Sequence, residues 1–178
     1  GCTQKGYDNP PIAEDVVAGG SGLVLLEADS GGGKSRLLSE LIQQAAASGA
    51  VFLHGQGVAQ AAQRPFTLLH GVAQGLVEHV VVDDLRERMG DAAPTAVRAL
   101  PALAALLGPT AEDDGGPEQF GEQRSLAALH QLLRSVAGPD SPVVLVLDDC
   151  QWADGLTVRL LSELFAADAA PPPHLGVI

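Results

Sequence analysis

Residues 23–35 read LVLLEADSGGGKS, and few folds accommodate such a stretch. Leu23 to Leu26 form an apolar, strand-like run. It opens into a loop with three consecutive glycines and closes on Lys34-Ser35, after which Arg36-Leu37-Leu38 begins a helical pattern. Strand, glycine loop and helix in this order form the context in which backbone amides wrap a phosphate. Gly31, Gly32 and Gly33 carry no Cβ, so the chain there can turn its N–H groups inward. A helix starting near Lys34 adds further N–H donors and the positive end of its dipole. Lys34 is placed to reach β- and γ-phosphates, and the Ser35 hydroxyl to ligate Mg²⁺. The usual pattern is G-x-x-x-x-G-K-[ST], and its first glycine is Ala28 here. The bland alternative is a glycine-rich connector. Lysine usage speaks against it: Lys5 and Lys34 are the only lysines, every other basic residue being Arg or His. A compact ammonium is thus kept where a point charge is wanted.

A second stretch, PVVLVLDDCQWAD at 142–154, complements the first. Val143 to Leu147 form a continuous apolar run, as expected of a strand buried on both faces of a parallel sheet. Asp148 and Asp149 follow at its C-terminal end, where open α/β sheets place ligands. The pair reads as a Walker B arrangement, with Asp148 holding Mg²⁺ and Asp149 beside the γ-phosphate, polarising the attacking water. Cys150 comes next. A catalytic thiol is one reading, and a small, partly buried residue after a strand is the plainer one.

At 178 residues the chain is long enough for one domain, burying roughly 70% of its unfolded surface. Aromatic residues make up only 3% against 46% hydrophobic overall, so the core is aliphatic. A formal net charge of −12 argues against this segment gripping a nucleic-acid backbone by itself. Cys2 and Cys150 stand far apart, which fits unpaired thiols in a reducing cytoplasm. No apolar run approaches a membrane span, and no signal-peptide pattern is present.

Along the chain, residues 1–22 read as an ordered loop or broken helix. The periodicity then predicts a strand over 23–28, a helix over 34–48 and a strand from Val51 to Leu53 exiting at His54-Gly55. Gln56 to Gln63 read as a loop. Helical patterns follow over 66–80, 83–89 and 94–107, with Pro101 as a break or first turn in the last. Residues 108–119, rich in Gly, Pro and acids, read as an exposed, mobile loop. A helix over 120–136 precedes the strand that ends in Asp148. Asp154 is positioned to N-cap a helix over 155–167, and Leu175 to Ile178 begin one more strand. This order gives an α/β protein with a parallel sheet flanked by helices.

Other candidates are less specific. The five histidines show no metal-ligand spacing, although His54 leaves a strand near the nucleotide edge of the sheet. His54-Gly55-Gln56-Gly57 lacks the third glycine of a dinucleotide loop. Trp152, the sole tryptophan, is either a core anchor or a side chain shaping the γ-phosphate side. Arg36, Arg124, Arg134 and Arg159 could each be an arginine finger, an intersubunit contact or a solvated helix residue.

With both motifs the chain resembles the AAA+/STAND signal-transduction ATPases, and in particular the ATPase module of large LuxR-type regulators and related cyclase and kinase fusions. Residues 27–38, EADSGGGKSRLL, correspond to that group's E-G-x-x-G-x-G-K-[ST]-R-L-L. Arg64-Pro65-Phe66 resembles its segment after the second strand, and residues 147–154, LDDCQWAD, its L-D-D-[LA]-[HQ]-W-A-D. Gly1-Cys2-Thr3-Gln4 departs from its V-G-R-x-x-E. The resemblance implies a P-loop NTPase fold of the ASCE/AAA+ type. It implies a lead-in over 1–22 and a core over 23–178 with a helical insertion at about 65–137, the C-terminal part and lid missing. It further implies a cytoplasmic module that binds ATP or ADP with Mg²⁺, hydrolyses ATP weakly in isolation and acts as a regulatory switch. Asp29, Ser30, Gly31, Gly32, Gly33, Lys34, Ser35 and Arg36 would bind ATP, Ser35 and Asp148 the metal, and Asp149 would be catalytic. The partners expected are other domains of a larger protein, with a homo-oligomer open and neither nucleic acid nor membrane. A binding module without hydrolysis and a mechanical AAA+ ATPase remain alternatives.

Overall fold

The computed structural model describes residues 12–25, 36, 39–40, 42–43, 47, 49–59, 64–79, 84–110, 121–166, 168 and 170–178. The segment 26–35, with the glycine run, Lys34 and Ser35, lies outside the described residues, as does most of the acidic stretch 108–119.

Four strands, β1 (Gly22–Leu23), β2 (Val51–Gln56), β3 (Val143–Asp148) and β4 (Leu175–Val177), form one sheet in the order β1-β4-β3-β2. All pairings are parallel. Helices pack against the sheet, consistent with an α/β P-loop NTPase fold. β2 and β3 pair along their whole length, from Val51 beside Val143 to Gln56 beside Asp148. The second strand therefore runs three residues past Leu53, into what the sequence reads as a loop.

The apolar run of β3 is explained by its neighbours. Strand side chains alternate between faces, and here both faces are covered. Val143, Leu145 and Leu147 enter the large core, and Val144 and Val146 a smaller one with Val16 and Ile178. The smaller core is capped by α1 (Ile12–Val17), a helix within the lead-in segment, whose Val16 is fully buried. At the N-terminal end of β4, the His174 N–H donates to Gly20 O (3.0 Å), and its ring Nδ1 lies 2.9 Å from Val16 O. The helix after the glycine run is seen through Arg36, Ser39, Glu40, Ile42 and Gln43, all helical, and Ile42 packs on this same face.

The other face carries the helical insertion. A 3₁₀ turn (Thr67–Leu69) leads into α2 (His70–His79), which buries Val72, Ala73 and Leu76 against β2. Gly55 permits this approach: a Cβ there would collide with the Leu68 carbonyl oxygen and press on Leu147. Short helices α3 (Leu85–Met89), α4 (Ala93–Ala99) and α5 (Ala104–Leu107) follow. The single helix expected over 94–107 is broken, because Leu100 leaves the helical region (φ −134°, ψ 88°) ahead of Pro101. Residues preceding proline are driven from the α region by clash with its Cδ.

α6 (Gly121–Val136) buries Leu126, Leu129, Leu132, Leu133 and Val136 at helical spacing against α3, α4 and α7 (Gly155–Leu164). α7 buries Leu160 and Leu164 completely, ending three residues before the expected 167. Burial of each such leucine contributes about 1.5–3 kcal/mol relative to leaving it in water.

Between α6 and α7 sits His130, its side chain 21% exposed and its Nε2 3.4 Å from Glu163 Oε2. That is too long for a well-formed hydrogen bond, and Nε2 has no hydrogen-bond partner among the described residues. Burial lowers the His130 pKa below the usual 6.5; the Glu163 carboxylate opposes the shift and Arg134 adds to it. Glu163 is itself lowered, chiefly by its hydrogen bond from Arg159. Because folding disfavours the charged imidazole, the stability tied to His130 is present above the unfolded-state value of 6.5 and is lost as pH falls below it. Thermal melts at about pH 7.5 and about pH 5.5 test this. His130→Gln should lose less midpoint temperature over that interval than the wild type, and equal losses would contradict the assignment.

Candidate functional site

The site is built at the C-terminal edge of the sheet. β3 can hold no charge along its buried length, so its first polar residues, Asp148 and Asp149, fall where the strand emerges. Both are half-buried. Because every strand is parallel, the chain leaves β1 toward this same edge.

Asp149 adopts the left-handed conformation (φ 54°, ψ 41°). Aspartate tolerates this region better than most residues. The reversal stops the strand at once and starts the 3₁₀ turn Cys150–Trp152, in which the Trp152 N–H donates to Asp149 O at 3.0 Å. Asp148 Oδ1 accepts from the Asp149 N–H at 2.8 Å, which fixes that carboxylate against its own backbone. Both oxygens of Asp149 are also engaged. Gln56 Nε2 donates to Oδ2 at 3.1 Å and Gln151 Nε2 to Oδ1 at 3.2 Å.

Gln56 is the functional residue that sequence reasoning missed. It ends β2 directly beside Asp148, and Gly57 continues the contact by donating its N–H to Asp148 O at 2.9 Å. A Cβ at Gly57 would strike Asp149 O, so glycine is what lets the two strand ends approach this closely. His54 sits one pleat before Gln56 and is exposed.

Trp152 is 47% exposed, which removes the core-anchor reading and leaves it half in solvent at the end of the turn that follows the acidic pair. Cys150 is exposed rather than partly buried, and its Sγ donates to Leu147 O at 3.3 Å. Arg36 is exposed and pairs with Glu40 at 3.1 Å, Arg159 bonds Glu163 at 2.6 Å, and Arg134 donates to Ala170 O at 2.7 Å. Arg124 is exposed on α6. Asp29, Ser30, Gly31, Gly32, Gly33, Lys34 and Ser35 lie outside the described residues.

Asp154 joins two of the sequence motifs. Its Oδ1 accepts from the N–H groups of Leu156 and Thr157 at 3.1 and 3.0 Å, capping α7 as expected. Its Oδ2 accepts from Thr157 Oγ1 at 2.6 Å and from the Phe66 N–H at 2.9 Å. Phe66 is 1% exposed and left-handed (φ 60°), a conformation costing of order 1 kcal/mol for a bulky residue. Ring burial and the bond to Asp154 hold it there. The Arg64-Pro65-Phe66 turn and the segment following the acidic pair are thus one unit.

The donor chemistry of this edge fits Mg²⁺. The carboxylate of Asp148 is a hard oxygen donor at this edge, of the kind Mg²⁺ takes one or two of beside phosphate oxygens and water. Among the described residues no group of three or more His, Cys, Asp or Glu is arranged to hold a metal without such help. No helix among the described residues is long and apolar enough to cross a membrane. Residues 12–178 match the family model for the AAA ATPase domain. No curated protein and no solved structure matches the chain.

Separating the two roles of Asp154 gives a test. Asp154→Ala should destabilise the protein by about 2 kcal/mol or more in urea denaturation, since both the cap and the tie to Phe66 are lost. Asp154→Asn retains a carbonyl oxygen for the cap but offers an NH₂ where the Phe66 amide needs an acceptor. Hydrogen exchange should then quicken at Phe66 while Thr157 stays protected. Unchanged exchange at Phe66 would show that the bond does not hold the turn.

Proposed function

The chain belongs to the AAA ATPase domain family, and from that premise we propose that it is an ATP-binding, slowly hydrolysing module that serves as a nucleotide-dependent switch within a larger regulatory protein. The observation that carries this reading is the position of Asp148 and Asp149. They emerge from the buried strand β3 at the sheet edge toward which β1 also runs.

Each residue then has a task. Lys34 and the backbone amides of Asp29 to Ser35 hold the phosphates, with Arg36 opening the helix behind them. Ser35 and Asp148 are the protein ligands for Mg²⁺, which when bound neutralises charge on the β- and γ-phosphate oxygens. Asp149 accepts a hydrogen bond from the attacking water at a carboxylate oxygen and so orients its lone pair at the γ-phosphorus. The amides of Gln56 and Gln151 each hold one Asp149 oxygen and so fix the orientation of the carboxylate, while each oxygen keeps a second lone pair to receive the water. Slow turnover suits a switch whose nucleotide state is the signal.

Calorimetric titration of ATP into wild type and Lys34→Ala tests the phosphate contact. The substitution should weaken binding at least about tenfold, equivalent to about 1.4 kcal/mol, and equal affinities would remove the Walker A assignment. Asp149→Asn separates binding from chemistry. It should keep ATP affinity within about a few fold while single-turnover phosphate release slows by about 10²-fold or more. Release at the wild-type rate would place the catalytic carboxylate elsewhere. No release by the wild type would leave the module a binder.

A further inference from the structure

We propose that a cleft on the helical insertion, separate from the acidic edge, is a binding site for a small oxyanion: a phosphate- or carboxylate-bearing molecule with an apolar extension. The cleft measures about 310 Å³ and is lined by Arg64, Phe66, His70, Arg98, Pro101 and Ser125, among others, with no acidic residue among the described residues of its walls. The chain as a whole carries 22 acids against 10 Lys and Arg. Two arginines facing one cavity with no carboxylate between them are therefore the reverse of what its composition would produce by chance. Neither Arg64 nor Arg98 forms an ion pair among the described residues. Guanidinium groups present planar forks of donors that match the oxygens of a phosphate or carboxylate, and such charge-assisted contacts are roughly twice as strong as neutral ones. The Ser125 hydroxyl and the His70 imidazole add further hydrogen-bonding groups.

The two arginines stand on separately anchored elements. The Arg64 carbonyl accepts from Thr67 Oγ1 at 2.8 Å, and its turn is fixed by buried Phe66 and the bond to Asp154. Arg98 lies near the end of α4, where Pro101 redirects the chain and opens the wall. Pre-positioned donors lose less freedom when a ligand arrives. A second recess of about 170 Å³ shares His70 and Pro101 with it and is lined also by Ala73, Gln74, Leu100 and Ala102. An arginine-lined cleft beside a recess with apolar walls suits a charged head and a short apolar tail. Asp148 and Asp149 line neither cavity. The site is thus distinct from the proposed nucleotide site and does not rest on that reading.

Calorimetric titration with butyl phosphate, pentanoate and inorganic phosphate tests the proposal. The proteins are wild type, the double variant Arg64→Gln with Arg98→Gln, and Lys34→Ala. Wild type should bind butyl phosphate or pentanoate, the tighter of the two identifying the head group. Butyl phosphate should exceed inorganic phosphate about tenfold or more if two or more methylenes enter the recess. The double variant should lose at least about tenfold in affinity for these ligands, with its thermal midpoint unchanged because both side chains are exposed. Lys34→Ala should bind the alkyl ligands as wild type does. Absence of binding by wild type, an unchanged double variant, or loss of binding in Lys34→Ala each overturns the proposal. Failure of the nucleotide reading appears separately, as wild type that does not bind ATP.

Discussion

Burial of β3 on both faces is the constraint from which the remaining arrangement follows. A strand whose alternate side chains enter two different cores must be apolar at every position, and Val143 to Leu147 obey this. It must also lie inside the sheet, between β4 and β2, because only interior strands are covered this way. The first charged residues after such a strand can appear only at its exit, since an unpaired carboxylate within either core would be strongly disfavoured. The aliphatic pattern that makes the fold therefore also sets where the acidic pair stands.

From that exit the chain is held by a small set of directional bonds. Asp149 turns the chain through a left-handed conformation, and Asp154, a few residues later, stops the irregular segment and starts α7. The second Asp154 oxygen reaches Phe66, 88 positions earlier in sequence. One carboxylate thus orders a helix start and a distant turn together. That turn carries Arg64 and lines the arginine-lined cleft, so the cleft and the segment after the acidic pair are tied by one hydrogen bond. The Phe66 amide is bonded to the residue that caps α7, two residues beyond the 3₁₀ turn that follows Asp149.

The two sites also divide the electrostatics of an acidic chain. At the sheet edge, carboxylates are clustered, and amide donors from Gln56 and Gln151 satisfy Asp149. Between β2 and β3, Arg64 and Arg98 line one cleft with no acid among the described residues of its walls.

Much of this was readable from local sequence. The parallel α/β order, the strands at 51–53, 143–147 and 175–178, the helix over 120–136 and the Asp154 cap all depend on period, turn residues or capping chemistry within a few positions. The proline that splits the 94–107 helix acts just as locally. What the sequence left open depends on partners far along the chain. Gln56 reads as the first residue of a loop until pairing with β3 extends β2 and sets its amide against Asp149, 93 positions away. Trp152 reads either as a core anchor or as a side chain shaping the γ-phosphate side, and the 3₁₀ turn after Asp149 leaves it half in solvent, against the first of these. The meeting of Arg64 and Arg98 at one cleft had no local signal, since neither position knows of the other until the insertion packs. Local propensities set what each segment becomes, whereas sheet register and helix packing alone decide which side chains face one another across it.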